Sequence, residues 1–569
     1  MRRVMVVTMA LLAMVTTSIG LGLGVAPASA HALLTGTSPA DGAALAAAPT
    51  RIVISYSESV RVSRDSIRVL DSAGARVDDG QARSGQKASQ AMVALRPNLP
   101  RGTYVASWRV ISADSHPISG AFAFGVGGPP EAGAASAEAD TSGSRAVGFL
   151  FGVARFAGYA GTGVLLGACF FLLMLWPQGL RTGGAGPLVA GAWGLSALAG
   201  LGQLLLQGPY AAGLGLSGLG RWSVLSTTLE ERFGHLLLIR LLALCLAVPL
   251  LRRMFRVGSL DVWRTCELAA LGLVVAVTLA AIGHGSAGDL VWLATASLTV
   301  HVLGMSVWIG GLVVIAFFLV RRAAAVELAE VLPRWSRVAA VAVAVIVISG
   351  LFQSWREIGT LRAVIDTGYG RLLLYKVWFV LGMIALGALA QRWVRRHYAG
   401  VRADARSGSG GTGTGTGTWT PPSVAALTGL RRGVASELVV GAVVLGLTAT
   451  LVNMVPARTS YAPPFTGTAF AGPMTVKVRV APTRIGAESL DVYTWAPSGK
   501  PQKLVQASAA LSLPTADLGP FEVPLDLAEQ GHARSDRVQA PLAGKWQLRL
   551  TLRINDFDQY VTTLFYTVR

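Results

Sequence analysis

Cysteine is nearly absent: 569 residues hold three, Cys169, Cys245 and Cys266, each within or beside an apolar run. The stretches that read as water-exposed hold none, so no disulfide framework supports them and they fold on their cores alone. A cysteine inside a span is a soft metal ligand in principle, but its first reading is a small apolar packing residue. Charge is scarce too, at 14% of residues against 52% hydrophobic. With a mean hydropathy of +0.53, that balance excludes a soluble globule. The formal net charge of +19 gathers into no nucleic-acid-binding patch, because the arginines stand in short groups at the ends of apolar runs, where they set orientation across a membrane. A phosphate-binding glycine loop ending in Lys-Ser/Thr is missing, as is a phosphorylation-type ATPase motif, which argues against primary active pumping.

What the chain does contain comes in blocks. Residues 1–30 join a basic start, an apolar stretch and an Ala-Ser-Ala ending, the pattern of a secretory signal peptide, and cleavage after Ala30 exposes His31. Over 31–128, short alternating runs such as RIVISYSESV and TYVASWRVI between turn residues predict a small all-β, immunoglobulin-like sandwich. Residues 129–146, rich in Ala, Gly, Ser and Glu, read as a flexible linker. Within 147–456, eight apolar segments lie near 149–175, 188–212, 233–251, 266–284, 291–320, 336–355, 371–394 and 434–455. Each approaches the roughly 20 residues a helix needs to cross a bilayer.

With the sandwich exported, the alternate loops that fall inside carry Arg181, the group Arg252, Arg253 and Arg256, the pair Arg321 and Arg322, and the group Arg392, Arg395 and Arg396. A Gly/Thr linker at 403–422 belongs to the last of these loops. Residues 457–569 return to strand-like runs, MTVKVRVAP, SLDVYTWAP, GKWQLRLTLRI and YVTTLFYTV, and predict a second exported all-β sandwich. The expected fold class is therefore a multi-domain, multi-pass plasma-membrane protein, an eight-helix transmembrane bundle between two extracytoplasmic sandwiches.

The chemistry concentrates at the processed N-terminus. A freed His31 offers an α-amine and a ring nitrogen to one ion, and an amine with a reference pKa of about 7.7 to 8.0 yields its proton to a metal near neutral pH. In Ser112-Ala113-Asp114-Ser115-His116-Pro117, Asp114 and His116 are two apart, a spacing that puts both on one face of an extended strand. Alone, a D-x-H triplet reads as a solvated turn. Joined to an N-terminal histidine it makes a nitrogen-rich set with one carboxylate, which suits the tetragonal preference of copper(II).

The mature start HALLTGTSPADGAAL, the strand ISYSESV and the segment ADSHPISGAFAFGVG, in that order, resemble a CopC periplasmic copper-binding domain over residues 31 to 127. The resemblance implies a copper(II) site of His31, Asp114 and His116, with Glu58 supporting it from behind. The Met-rich copper(I) segment of some such domains is missing here. The runs HVLGMSVWIGGL, YGRLLLYKVWF and ELVVGAVVLGLTATLVNMVPAR resemble the CopD family of copper-resistance membrane proteins, which implies copper handling at the membrane. The turn Gly544-Lys545-Trp546 into a strand resembles, more loosely, a YtkA-like domain.

Ionisable residues inside spans are costly and are functional candidates by default. Here they are Arg155, Arg240, Lys376 and Glu437, with His235, His284 and His301 in or near helices. Met305 follows His301 at i+4, so His284, His301 and Met305 form a candidate membrane path for copper, copper(I) included. His532 reads as a surface residue of a polar loop.

The expected function is copper capture followed by transfer across the membrane, as uptake, without enzymatic activity. The expected partners are copper ions, the lipid bilayer and an extracytoplasmic copper chaperone, with no nucleic acid. Two other classes stay open: a membrane oxidoreductase with haem held among His235, His284 and His301, and a membrane-anchored copper sensor or chaperone.

Overall fold

The computed structural model describes residues 32, 34–112, 117–131, 142–283, 290–407, 421–516 and 518–568. They form two compact units, a helical one over Thr141–Arg458 and a β unit drawn from the chain on either side of it.

The N-terminal sandwich has strands β1 Leu34–Ser38, β2 Ala44–Leu45, β3 Arg51–Tyr56, β4 Ile67–Asp71, β5 Arg83–Ser84, β6 Gln90–Ala94, β7 Gly102–Ile111 and β8 Pro117–Val126. One sheet runs β1-β3-β6-β5 and the other β2-β8-β7-β4. Strict alternation builds the core: in β3, Ile52, Ile54 and Tyr56 are buried while Arg51 is exposed. Tyr56 meets Trp108 edge to face across the two sheets, with centroids 5.4 Å apart. Asp78, buried beside this core, accepts from Val69 N (2.8 Å), Gly80 N (2.9 Å) and Arg76 Nε (2.8 Å), so its charge is fully partnered.

Among the described residues, the helical unit contains eight helices long and apolar enough to cross a membrane. They are α1 Ser142–Phe170, α2 Ala185–Ala212, α3 Arg232–Val257, α4 Val262–Ala280, α5 Val291–Val314, α6 Ala325–Ile358, α7 Gly368–Ser407 and α8 Val424–Leu451. Short π-helical turns at Phe171–Leu175 and Ile315–Leu319 extend α1 and α5. Three helices outrun the expected segments by ten residues or more, α6 starting at Ala325, α7 reaching Ser407 and α8 starting at Val424. The added turns of α6 are polar, with Arg334 paired to Glu330 at 2.8 Å. Hydropathy registers only the part of a helix that lies in hydrocarbon, so it misses such charged continuations.

The C-terminal sandwich has strands β9 Phe465–Ala471, β10 Met474–Ala481, β11 Gly486–Trp495, β12 Gln506–Leu513, β13 Leu518–Pro524, β14 Asp526–Glu529, β15 His532–Ala540, β16 Gly544–Arg553 and β17 Gln559–Val568. They form sheets β14-β15-β11-β10-β9 and β13-β12-β16-β17 around a core that includes Trp546, Leu511 and Val492.

Inside that core, Tyr566 Oη donates to Glu488 Oε2 at 2.6 Å, while Glu488 Oε1 has no hydrogen-bond partner among the described residues. Burial raises the Glu488 carboxyl to about 7. The folded state therefore holds a proton that the unfolded chain releases above about 4.5, so this group's contribution to stability is present at low pH and is lost as pH rises to 7. We expect Glu488→Gln to remove a fall on the order of 2–3 kcal/mol between pH 5 and 8, read as a flattened pH profile of thermal unfolding.

Candidate functional site

Among the described residues no group of three or more His, Cys, Asp or Glu side chains is placed to hold a metal ion. The expected copper(II) ligands His31, Asp114 and His116 lie outside the described residues. Their flanks, however, are placed. β1 pairs with β3 so that Leu34 stands opposite Tyr56, which carries the chain before Leu34 toward the residues after Tyr56. Arg61, five residues beyond, bridges Ile111, with Arg61 N to Ile111 O at 2.8 Å and Ile111 N to Arg61 O at 3.1 Å. Ile111 also pairs with Pro117 at the end of the β7–β8 hairpin. Strand register alone thus brings the segments flanking residue 31 and residues 113–116 to one end of the sandwich. Glu58 sits between the two junctions and is buried, 6% exposed. Ala32 is buried in the core there, which anchors the chain directly after residue 31.

In the helical unit, polar contacts join neighbouring helices. Thr162 of α1 and Ser196 of α2 share a hydrogen bond at 2.6 Å. Arg240 of α3 donates to the Thr278 carbonyl of α4 at 2.9 Å and to its hydroxyl at 3.3 Å. A backbone carbonyl therefore takes this buried guanidinium. Arg155 of α1 hydrogen-bonds Asn453 just beyond α8 and lies 4.8 Å over the Phe151 ring. Glu437 of α8 is 2% exposed and faces Gly387 of α7.

His301 is seated against α6. Its Nδ1 is 3.0 Å from Ser349 Oγ and its ring lies beside Gly350. Lys376 of α7 is near enough to act on it electrostatically. Met305 turns its methyl toward Gly163 of α1. Spacing of i, i+4 put the two on one face of one helix, yet each meets a different neighbour, because a helix presents about 40° between such positions and α6 and α1 flank that face. His284 lies outside the described residues. His235 is exposed at the start of α3, whereas His301 is half-buried within α5. Sequence reading missed Ser349, since nothing along one helix names the helix packed against it. His532 is corrected outright: it opens strand β15, with Nε2 3.0 Å from Asp491 Oδ1.

These features define a class, a multi-pass membrane protein with a β-sandwich joined to either end of its eight-helix region. The CopC domain family matches residues 34–127. The copper resistance protein D-like N-terminal domain matches residues 146–292, and copper resistance protein D matches residues 329–451. The chain is 28% identical over 495 residues to the copper transport protein CutJ of Bacillus subtilis, covering 84% of each. It is 32% identical over 106 residues to copper resistance protein C of Pseudomonas syringae pv. tomato, across 17% of this chain and 82% of that one. A crystal structure of CopC from Methylosinus trichosporium OB3b aligns at 28% identity and a TM-score of 0.15, over 18% of this chain and 96% of that one. The chain belongs to the copper-resistance proteins, with a CopC domain followed in one polypeptide by a CopD membrane region. The matched family domains end at residue 451, so the YtkA-like likeness of the C-terminal sandwich rests on its sequence alone.

Proposed function

We propose that this protein imports copper: it captures copper(II) outside the membrane at a processed His31 with Asp114 and His116, and passes the ion inward through the helical unit past His301. The observation that carries the reading is the register that draws the flanks of residue 31 and of residues 113–116 to one end of the N-terminal sandwich, with buried Glu58 between them. That geometry suits a chelate of an N-terminal amine, two imidazoles and a carboxylate, each deprotonated as copper binds.

Three further features support the arrangement. Both sandwiches belong to one compact unit, and the eight candidate spans between them suit a shared face of the membrane. Arg181, Arg252, Arg253, Arg256, Arg321 and Arg322 all lie at or just beyond the ends of α1, α3 and α5, as the positive-inside rule asks of the cytoplasmic face. His301 of α5 bonds Ser349 near the end of α6, and Arg240 of α3 bonds Thr278 near the end of α4, so these polar groups lie in the half of the bundle from which α3 and α5 start. A capture domain ahead of the membrane suits the uptake of a scarce ion. A signal peptide over 1–30 and delivery by an extracytoplasmic copper chaperone complete the proposal.

His301→Ala tests the membrane step. Cells producing this variant should accumulate copper about tenfold more slowly, the low end of the cost of disturbing a metal-contacting group, while copper(II) binding by the purified chain is unchanged. Unchanged accumulation would reduce the helices to an anchor.

A further inference from the structure

The outer face of the five-stranded sheet in the C-terminal sandwich holds a preorganised imidazole. His532 stands opposite Tyr493 of β11 and Glu529 of β14. Its ring is stacked on Tyr493 at 4.4 Å with an interplanar angle of 4°. Asp491 Oδ1 accepts from its Nε2 at 3.0 Å, and the two side chains are 21% and 16% exposed. Two contacts thus fix the ring's plane and its tautomer. With the proton on Nε2, Nδ1 keeps its lone pair, and it is neither enclosed nor hydrogen-bonded among the described residues. Arg534, one position pair further along, is held by Asp536 at 2.8 and 3.1 Å. Glu529 pairs with His532 across the ladder, next to a register irregularity between Leu527 and Glu529, and cross-strand partners present their side chains on one face of the sheet.

A carboxylate behind one ring nitrogen and a free lone pair on the other is how proteins orient a metal-ligating histidine. One imidazole nitrogen plus one carboxylate oxygen, with the remaining positions open to water, fits copper(II), which binds such N/O donors more tightly than the other divalent first-row ions do. We propose that His532 and Glu529, with Asp491 positioning the ring, form a second copper(II) site on the C-terminal sandwich. Two protein ligands make it weaker and faster to exchange than a four-donor chelate, which suits relay rather than storage.

The test uses the full chain in detergent with copper(II) as the only added metal. In a background carrying His31→Ala and His116→Ala, which removes both imidazoles of the N-terminal chelate, one equivalent should remain, with an electron paramagnetic resonance signal showing coupling to one nitrogen. His532→Gln should abolish that equivalent, and Asp491→Asn should weaken it by roughly 10–100-fold. In the parent chain, without any substitution, copper(II) should shield His532 from diethylpyrocarbonate, read by mass spectrometry. Binding that His532→Gln leaves unchanged, or no shielding of His532, overturns the site. The two copper readings fail separately: loss of the His532 equivalent leaves the N-terminal one intact, whereas full binding retained with both His31→Ala and His116→Ala counts against the N-terminal chelate alone.

Discussion

An acetyl group on the α-amine of the processed His31 is expected to remove tight copper(II) binding by the N-terminal sandwich. Acetylation converts the amine into an amide and supplies no new amine, which deletes one nitrogen donor and breaks the chelate that the same residue's imidazole closes. We expect a loss of at least about 100-fold in affinity, beyond the roughly 10–100-fold that altering a supporting group costs. The electron paramagnetic resonance signal should also lose nitrogen coupling. The core gives no reason for the fold to suffer: Ala32 is buried, whereas the acetyl group lies ahead of it on residue 31. Identical affinity with and without the acetyl group would mean that the amine is no ligand, and the site would shrink to the side chains of His31, Asp114 and His116.

The second large effect lies in the bundle. Where α1 crosses α5, Gly167 and Gly310 let the two backbones touch, and a Cβ on Gly310 would stand 2.5 Å from Gly167 Cα and 2.6 Å from Ala168 N. Backbone cannot yield as a flexible side chain does, so the helices must separate. Close small-residue crossings of this kind hold membrane helices together in place of the hydrophobic effect, which lipid tails cancel. Gly310→Ala should cost about 1–3 kcal/mol, read as a lowered unfolding temperature in detergent. Gly310→Leu should leave no folded helical unit, whereas Gly382→Leu, a substitution with open space around its Cβ, should be tolerated. Equal stability of Gly310→Leu and the parent would refute this crossing.

Much of this architecture was legible from the chain. Alternation over RIVISY and MTVKVRVA set buried against exposed residues as the strands show, because one face of each sheet meets a core and the other meets water. The eight spans followed from apolar length, since lipid leaves a backbone no other way across. Relations between helices were not legible. His301 to Ser349, Arg240 to the Thr278 carbonyl and Gly167 to Gly310 are pairings of residues 38 to 143 positions apart, and a periodic pattern on one helix carries no information about its neighbour. His532 was misplaced for a related reason: the polar run around it alternates, but an edge hairpin with charged residues on its outer face resembles a loop. The copper(II) ligands themselves came from residue chemistry and from the CopC likeness. The structure adds the convergence of the segments that flank them.

The central claim is that copper captured outside crosses the membrane through this chain, and flux measures it most directly. The full chain, processed to His31, would be reconstituted in vesicles loaded with a copper-sensitive dye and copper(II) added outside. The account predicts a copper signal in the lumen that saturates with copper, falls about tenfold in His301→Ala and at low copper depends on His31. A lumenal signal no faster than that of empty vesicles, with copper(II) binding intact, would contradict import and leave a membrane-anchored copper carrier.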